Sequence, residues 1–207
     1  MLRISAALVF VFLVVQTALA APVTILALGD SLTAGLGLEA SEAFPTKLEA
    51  ALRAKGLEVR IVNAGVSGDT AAAGLARLDW ALSDAVDGLI VELGANDALR
   101  GLDPGQTETA LDAILAKAAA RKLPVLIAGM QAPPNLGPDY VAAFDGIYPR
   151  LAERHGAILY PFFLDGVAAK PSLNQTDGIH PNGKGVDIIV ERIMPSVEGL
   201  IRRAAAN

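Results

Sequence analysis

The stretch "TILALGDSLTAG", residues 24–35, runs through water-averse residues and then breaks at Gly29-Asp30-Ser31-Leu32. Its apolar part, "VTILAL" (23–28), shows little polar alternation, which is how a strand buried on both faces of a parallel sheet reads. Such a strand ends by presenting a serine between an aspartate and a leucine. Either Ser31 caps a helix, or the chain holds a hydroxyl at a sheet edge where a substrate can be attacked.

Four further runs share the pattern: "VRIVN" (59–63), "GLIVEL" (88–93), "PVLIAGM" (124–130) and "GAILY" (156–160). Helical patterns lie between and after them, at about 43–55, 70–84, 104–121, 138–154 and 184–203. Asp103-Pro104, with Gln106 following, has the form of a capped helix start. Five strands alternating with helices imply right-handed crossovers and a three-layer α/β/α sandwich. No repeat or linker divides the chain, so residues 21–207 are expected to form a single domain. In such sheets ligands sit beyond the carboxyl ends of the strands. That directs attention to Gly29–Ser31, Ala64–Asp69, Gly94–Asp97, Gln131–Gly137 and one late loop, Asp177–Pro181.

Composition limits what those loops can do. The 207 residues are 53% apolar and 19% charged, which provides for a sizeable core and excludes a disordered chain. A net charge of −5, with scattered basic residues, argues against a nucleic-acid partner. Cysteine is absent, so disulfides, thiolate metal sites and a cysteine nucleophile fall together. The segment "MLRISAALVFVFLVVQTALA" (1–20) has one early cation, Arg3, an apolar run from Ile4 to Val15 and a small-x-small ending at Ala18-Leu19-Ala20. That is the build of a secretory signal peptide cut after Ala20, the alternative being an uncleaved anchor. Cleavage would leave 207 − 20 = 187 residues in the periplasm or outside the cell, with no stable membrane insertion. A monomer is expected.

The sequence has two histidines. His155, at a helix end before a glycine, reads as a cap on the last carbonyls facing water. His180 lies in a loop before Pro181, three residues after Asp177, close enough for the carboxylate to fold back onto the imidazole. By elimination His180 is the candidate general base that a serine nucleophile requires, with Asp177 holding its ring in the useful tautomer. The oxyanion formed on the attacked carbonyl needs pre-aimed donors. Ser31's own N–H, the N–H of Gly68 in "NAGVSGDT" and the side-chain amide of Asn96 in "LGAND" are the candidates. Asp30, Asp69, Glu92 and Asp97 lie close by and read as loop ties.

"GDSL", "SGDT", "GAND" and "DGIHP", in that order and spacing, resemble the four blocks of the SGNH (GDSL) hydrolase family. The likeness extends through "AGVSGDTAAAGLARL", "VELGANDALRG" and "YPRLAERHG" with "PFFL", and is similar to the bacterial periplasmic thioesterase/protease/lysophospholipase and arylesterase branch. The resemblance implies a flavodoxin-like five-stranded parallel sheet and a serine esterase mechanism with neither cofactor nor metal. It also implies a broad range of acyl-ester and thioester small molecules as substrates. It further implies a loop after the fourth strand with a basic and a bulky aliphatic residue over the acyl chain. Here "MQAPPNLG" has Gln131 and Ala132 at about those places, which points toward short-acyl or aryl esters. Met130, Pro133, Phe162, Phe163 and Ile179 are candidates for the acyl-facing wall, with ordinary core as the alternative for each.

Other motifs are imitations. "GLGLEA" (35–40) starts too far past its strand for a dinucleotide loop, and the second strand ends in Asn63 where a ribose-binding acid is needed. "GIHPNGKG" (178–185) has Gly185 where a phosphate loop needs Ser or Thr, and "GVSGD" ends in Asp69, so it is not the G-x-S-x-G elbow. A carbohydrate O-acetyl esterase on the same scaffold, or a non-catalytic lipid- or carbohydrate-binding module, remains the alternative.

Overall fold

The apolar runs form β1 (Val23–Gly29), β2 (Val59–Gly65), β3 (Gly88–Glu92), β4 (Val125–Ala128) and β5 (Ile158–Tyr160). They are the strands of one parallel sheet in the order β2-β1-β3-β4-β5. The structure is a computed structural model that describes residues 22–82 and 85–206. The expected leader and its cut after Ala20 lie outside the described residues. β1 is paired on both sides, Val23–Gly29 with Val59–Gly65 and Ile25–Gly29 with Gly88–Glu92. Its Ile25, Leu26, Ala27 and Leu28 are fully buried with Leu89, Ile90 and Val91 of β3, which explains the lack of polar alternation.

Helices cover both faces. On one, α2 (Phe44–Ala54) packs against β2 and against the C-terminal helix α8 (Gly183–Ala204). On the other, α3 (Ala71–Ala81) packs on α5 (Pro104–Ala120), and α5 on α7 (Ile147–His155). The expected three layers and five-stranded parallel sheet are therefore present. Asp103 caps α5 by accepting the Gly105 N–H at 2.7 Å, with Pro104 in the first turn.

The helix expected over 138–154 is two helices, α6 (Pro138–Asp145) and α7, meeting at Gly146. Pro149 is the reason. In a continuous helix its missing N–H would have served the Asp145 carbonyl, and its ring would have pressed on that carbonyl. Two further short helices, α1 (Ser31–Ala34) and α4 (Ala95–Leu99), start directly after β1 and β3. Strand order reverses between these neighbouring strands, so the crevice beyond their carboxyl ends is the expected ligand position.

Candidate active site

Ser31 stands at the first turn of α1, where Asp30 caps the helix by accepting the Leu32 N–H at 2.9 Å. The turn is so tight that Gly29 has no room for a side chain. A Cβ there would lie 2.1 Å from Thr33 Oγ1 and 2.7 Å from Glu92 Oε2. Ser31 is thus carried on a strand end whose neighbours are buried, with its hydroxyl facing the crevice.

His180 reaches it from 149 residues away, Nε2 lying 2.9 Å from Ser31 Oγ. Its loop is pinned rather than loose. The Gln175 N–H donates to the His180 carbonyl at 2.7 Å, and Gln175 Nε2 donates to the carbonyls of Leu36 and Pro181 at 2.7 and 3.0 Å. Asn182 caps α8 directly behind it, accepting the N–H groups of Lys184 and Gly185. Asp177 accepts the backbone N–H groups of Ile179 and His180 on Oδ1 and faces His180 Nδ1 with Oδ2 at 2.6 Å. The His180 backbone bond, the ring bond and the Ile179 bond pull the Asp177 carboxyl down to about 2. Asp177 is therefore an acceptor at neutral pH, which assigns the proton to Nδ1 and leaves Nε2 to accept from Ser31 Oγ–H.

The three candidate oxyanion donors differ. Gly68 has φ +87°, a left-handed turn residue, and among the described residues neither its N–H nor that of Ser31 donates to another group. The Asn96 amide is already engaged: Nδ2 donates to Asp30 Oδ2 at 3.0 Å and to the Asp69 carbonyl at 3.0 Å. Two arginines that carry no motif in the sequence hold this turn. Arg77 pairs with Asp69 at 2.6 Å and donates to the Gly29 carbonyl at 3.0 Å, while Arg100 donates to the Gly68 carbonyl at 2.8 Å. Asp97 accepts the Ala71 N–H at the head of α3 and the Thr107 hydroxyl. Asp30 and Asp97 thus act as the backbone ties expected of them.

Beside Ser31 opens a cavity of about 360 Å³. Met130, Pro133, Phe162 and Ile179 line it, and Ala132, Leu164, Ala168 and Leu99 add to its apolar wall. Phe163 does not reach it. Its side chain is fully buried and meets Phe44 edge to face, ring centres 5.0 Å apart, so the acyl-wall expectation for Phe163 is corrected to core. Gly68 is not among the lining residues either. His155 is no mere cap facing water: its Nε2 lies 2.7 Å from Asp112 of α5, tying α7 to it. Among the described residues no group of three or more His, Asp or Glu side chains is placed to hold a metal ion.

Two buried carboxyl groups lie under the site. Burial is the main force lifting Asp30 to about 6, against the Leu32 and Asn96 bonds that pull it down. Burial first, and the nearby Asp30 charge second, hold Glu92 well above the usual carboxylate range.

A hydroxyl, an imidazole and a carboxylate in line beside unengaged amide hydrogens, on an α/β sandwich, make up the constellation of a serine hydrolase. Relatives place it more closely. Residues 27–188 match the model of the GDSL-like lipase/acylhydrolase family. Esterase TesA of Pseudomonas aeruginosa is 42% identical over 190 residues, spanning 91% of this chain and 94% of that protein. Thioesterase 1/protease 1/lysophospholipase L1 of Escherichia coli K12 is 41% identical over 194 residues, 93% of this chain and 92% of the other. The crystal structure of AlinE4, an SGNH-hydrolase family esterase, shares 49% identity and superposes with a TM-score of 0.75, covering 88% of this chain and 98% of that one. The chain belongs to the GDSL (SGNH) lipase/acylhydrolase family, and it is an ester-hydrolysing serine hydrolase.

Proposed function

We propose that the protein is an exported serine esterase for short-acyl and aryl carboxylic esters, extending to acyl thioesters and lysophospholipids, working through an acyl-Ser31 intermediate. The observation that carries this reading is the line from Ser31 Oγ to His180 Nε2 at 2.9 Å and from His180 Nδ1 to Asp177 at 2.6 Å. His180 takes the hydroxyl proton as Ser31 Oγ bonds to the ester carbonyl carbon, and Asp177 holds the imidazolium that forms. The oxyanion takes hydrogen bonds from the Ser31 and Gly68 N–H groups and from the Asn96 amide. The imidazolium then gives its proton to the leaving oxygen as the C–O bond breaks. Water, deprotonated by His180, releases the acid from Ser31.

The cavity supports a small apolar substrate. Its volume of about 360 Å³ is near the lower end of ligand pockets, roughly 300–1,000 Å³. A wall of Met130, Ala132, Pro133, Phe162 and Ile179 suits an acyl or aryl group better than a sugar. The thioester and lysophospholipid reach of the proposal leans on the name of the Escherichia coli relative. Export with removal of residues 1–20 fits a first strand that starts at Val23, and an N-terminus other than Ala21 on the exported protein would refute that cut. With p-nitrophenyl acetate and butyrate, Ser31→Ala is expected to lose at least about a thousandfold in turnover. A variant turning over at the wild-type rate would overturn the assignment.

A further inference from the structure

Glu92 has no part in the acyl-transfer steps, yet it is fully buried beneath them. Its Oε2 accepts the Thr33 hydroxyl at 2.7 Å and the Asp30 N–H at 3.4 Å, gripping α1 on either side of Ser31. Its Oε1 has no hydrogen-bond partner among the described residues. Asp30, also buried, spends both oxygens on the machinery, one on the Leu32 N–H and one on the Asn96 amide. Two buried, neighbouring carboxyl groups resist ionising together, so the pair holds one proton and one charge. The charge belongs on Asp30. It accepts N–H bonds of 2.9 and 3.0 Å, whereas Glu92 accepts the Thr33 hydroxyl, a 3.4 Å contact from the Asp30 N–H and a backbone contact from Thr33, and burial together with the Asp30 charge still holds it well above the usual carboxylate range. The other titratable groups facing Asp30 are His180 and Asp69, the latter itself paired with Arg77.

We propose that Glu92 is a positioning residue for acyl transfer: a neutral carboxylic acid that clasps the Thr33 hydroxyl and Asp30 N–H, and leaves the pair's single negative charge on Asp30 to hold the Asn96 amide. It rests on the esterase reading above, because the Asn96 amide matters only if an oxyanion forms. As a neutral acceptor, Glu92 is replaceable by an amide of the same shape but not by an apolar side chain. Steric filling of the site is common to both replacements, so comparing them separates positioning from packing.

The test compares kcat and KM of Glu92→Gln, Glu92→Met and Thr33→Val on p-nitrophenyl butyrate at pH 8, each variant first checked for a wild-type circular dichroism spectrum. Glu92→Met is expected to lose at least tenfold in kcat with KM within twofold of wild type. Glu92→Gln is expected to restore kcat to within about threefold. Thr33→Val, which removes the hydroxyl donor at constant shape, is expected to lower kcat several-fold with KM unchanged. Full activity in Glu92→Met overturns the proposal, as does equal impairment of Glu92→Gln and Glu92→Met, since then an ionised carboxylate is what the site needs. If Glu92→Met does not fold, Thr33→Val decides alone, and wild-type kcat there overturns it. An inactive Ser31→Ala beside a fully active Glu92→Met would sink this inference and leave the esterase reading standing.

Discussion

Replacing Glu92 by glutamine should change how stability responds to pH. Glu92 is completely buried, and burial holds its carboxyl well above the ordinary range. The unfolded chain releases that proton near pH 4.3, whereas the native state keeps it, so rising pH favours unfolding. The stability this proton contributes is full below the unfolded value and disappears as pH climbs through the native one. The slope for one proton is about 1.4 kcal/mol per pH unit across that window. Asp30 adds a similar slope below its own value of about 6, but it does so in both proteins and cancels in the difference. The amide of the Glu92→Gln variant cannot titrate, and any cost of seating it beside Thr33 is a constant offset. Urea unfolding at pH 5, 6 and 7, with equal m-values, should therefore show Glu92→Gln gaining on the wild type at each step. The expected gain is about 1.4 kcal/mol per unit for as long as native Glu92 stays protonated. Parallel stability curves would mean that Glu92 is ionised in the fold, and the charge assignment made for the pair would fail.

Gly29→Ala puts a methyl group 2.1 Å from Thr33 Oγ1 and 2.6 Å from Thr33 Cβ. Overpacking of this kind costs about 1–3 kcal/mol and should lower kcat as α1 shifts; a variant with wild-type Tm and kcat would refute the tight-turn account. Asp177→Asn removes the ionised acceptor opposite His180 Nδ1 at 2.6 Å. Turnover should fall by about 10⁴ through the wrong imidazole tautomer with KM little changed, and a rise in KM alone would show that Asp177 serves binding instead.

The sheet was legible because parallel strands between two helical layers carry apolar side chains on both faces. "VTILAL" and "GLIVEL" could hardly be anything else. Helix continuity was harder to read. Pro149 splits α6 from α7, while α8 runs from Gly183 to Ala204 through Pro195. The difference lies in packing. Ile193, Met194, Val197 and Leu200 keep the C-terminal helix buried on both sides of its proline, and tertiary contact outweighs the lost bond. The short helices α1 and α4 are invisible to periodicity because one turn shows no repeat, yet they present Ser31 and Asn96. The pair Phe162-Phe163 carried no such signal: it lies in a turn after β5, where no strand or helix period fixes which ring faces the core. The arginines that hold the Gly68 turn had none either. Arg77 and Arg100 look like ordinary surface charges until the fold brings Asp69 and the Gly68 carbonyl to them.

The engaged Asn96 amide bears on how the proposed oxyanion site discriminates between states. One amide hydrogen goes to the Asp30 carboxylate and the other to the Asp69 backbone carbonyl, both at 3.0 Å. A substrate carbonyl is no better an acceptor than the Asp69 carbonyl, so the ground state gains nothing by competing for that hydrogen. An oxyanion is different: hydrogen bonds to ionised acceptors are roughly twice as strong as neutral ones. It can take the hydrogen from Asp69, while the bond to charged Asp30 is retained and keeps the amide aimed. The Asn96 contribution then appears only as charge develops on the substrate, which raises kcat rather than tightening substrate binding. Asn96→Ala should accordingly lower kcat and kcat/KM together, by about 10²–10³ if the donor matches other oxyanion holes. A variant that raises KM at constant kcat would place the Asn96 contact in the ground state and break this chain of reasoning.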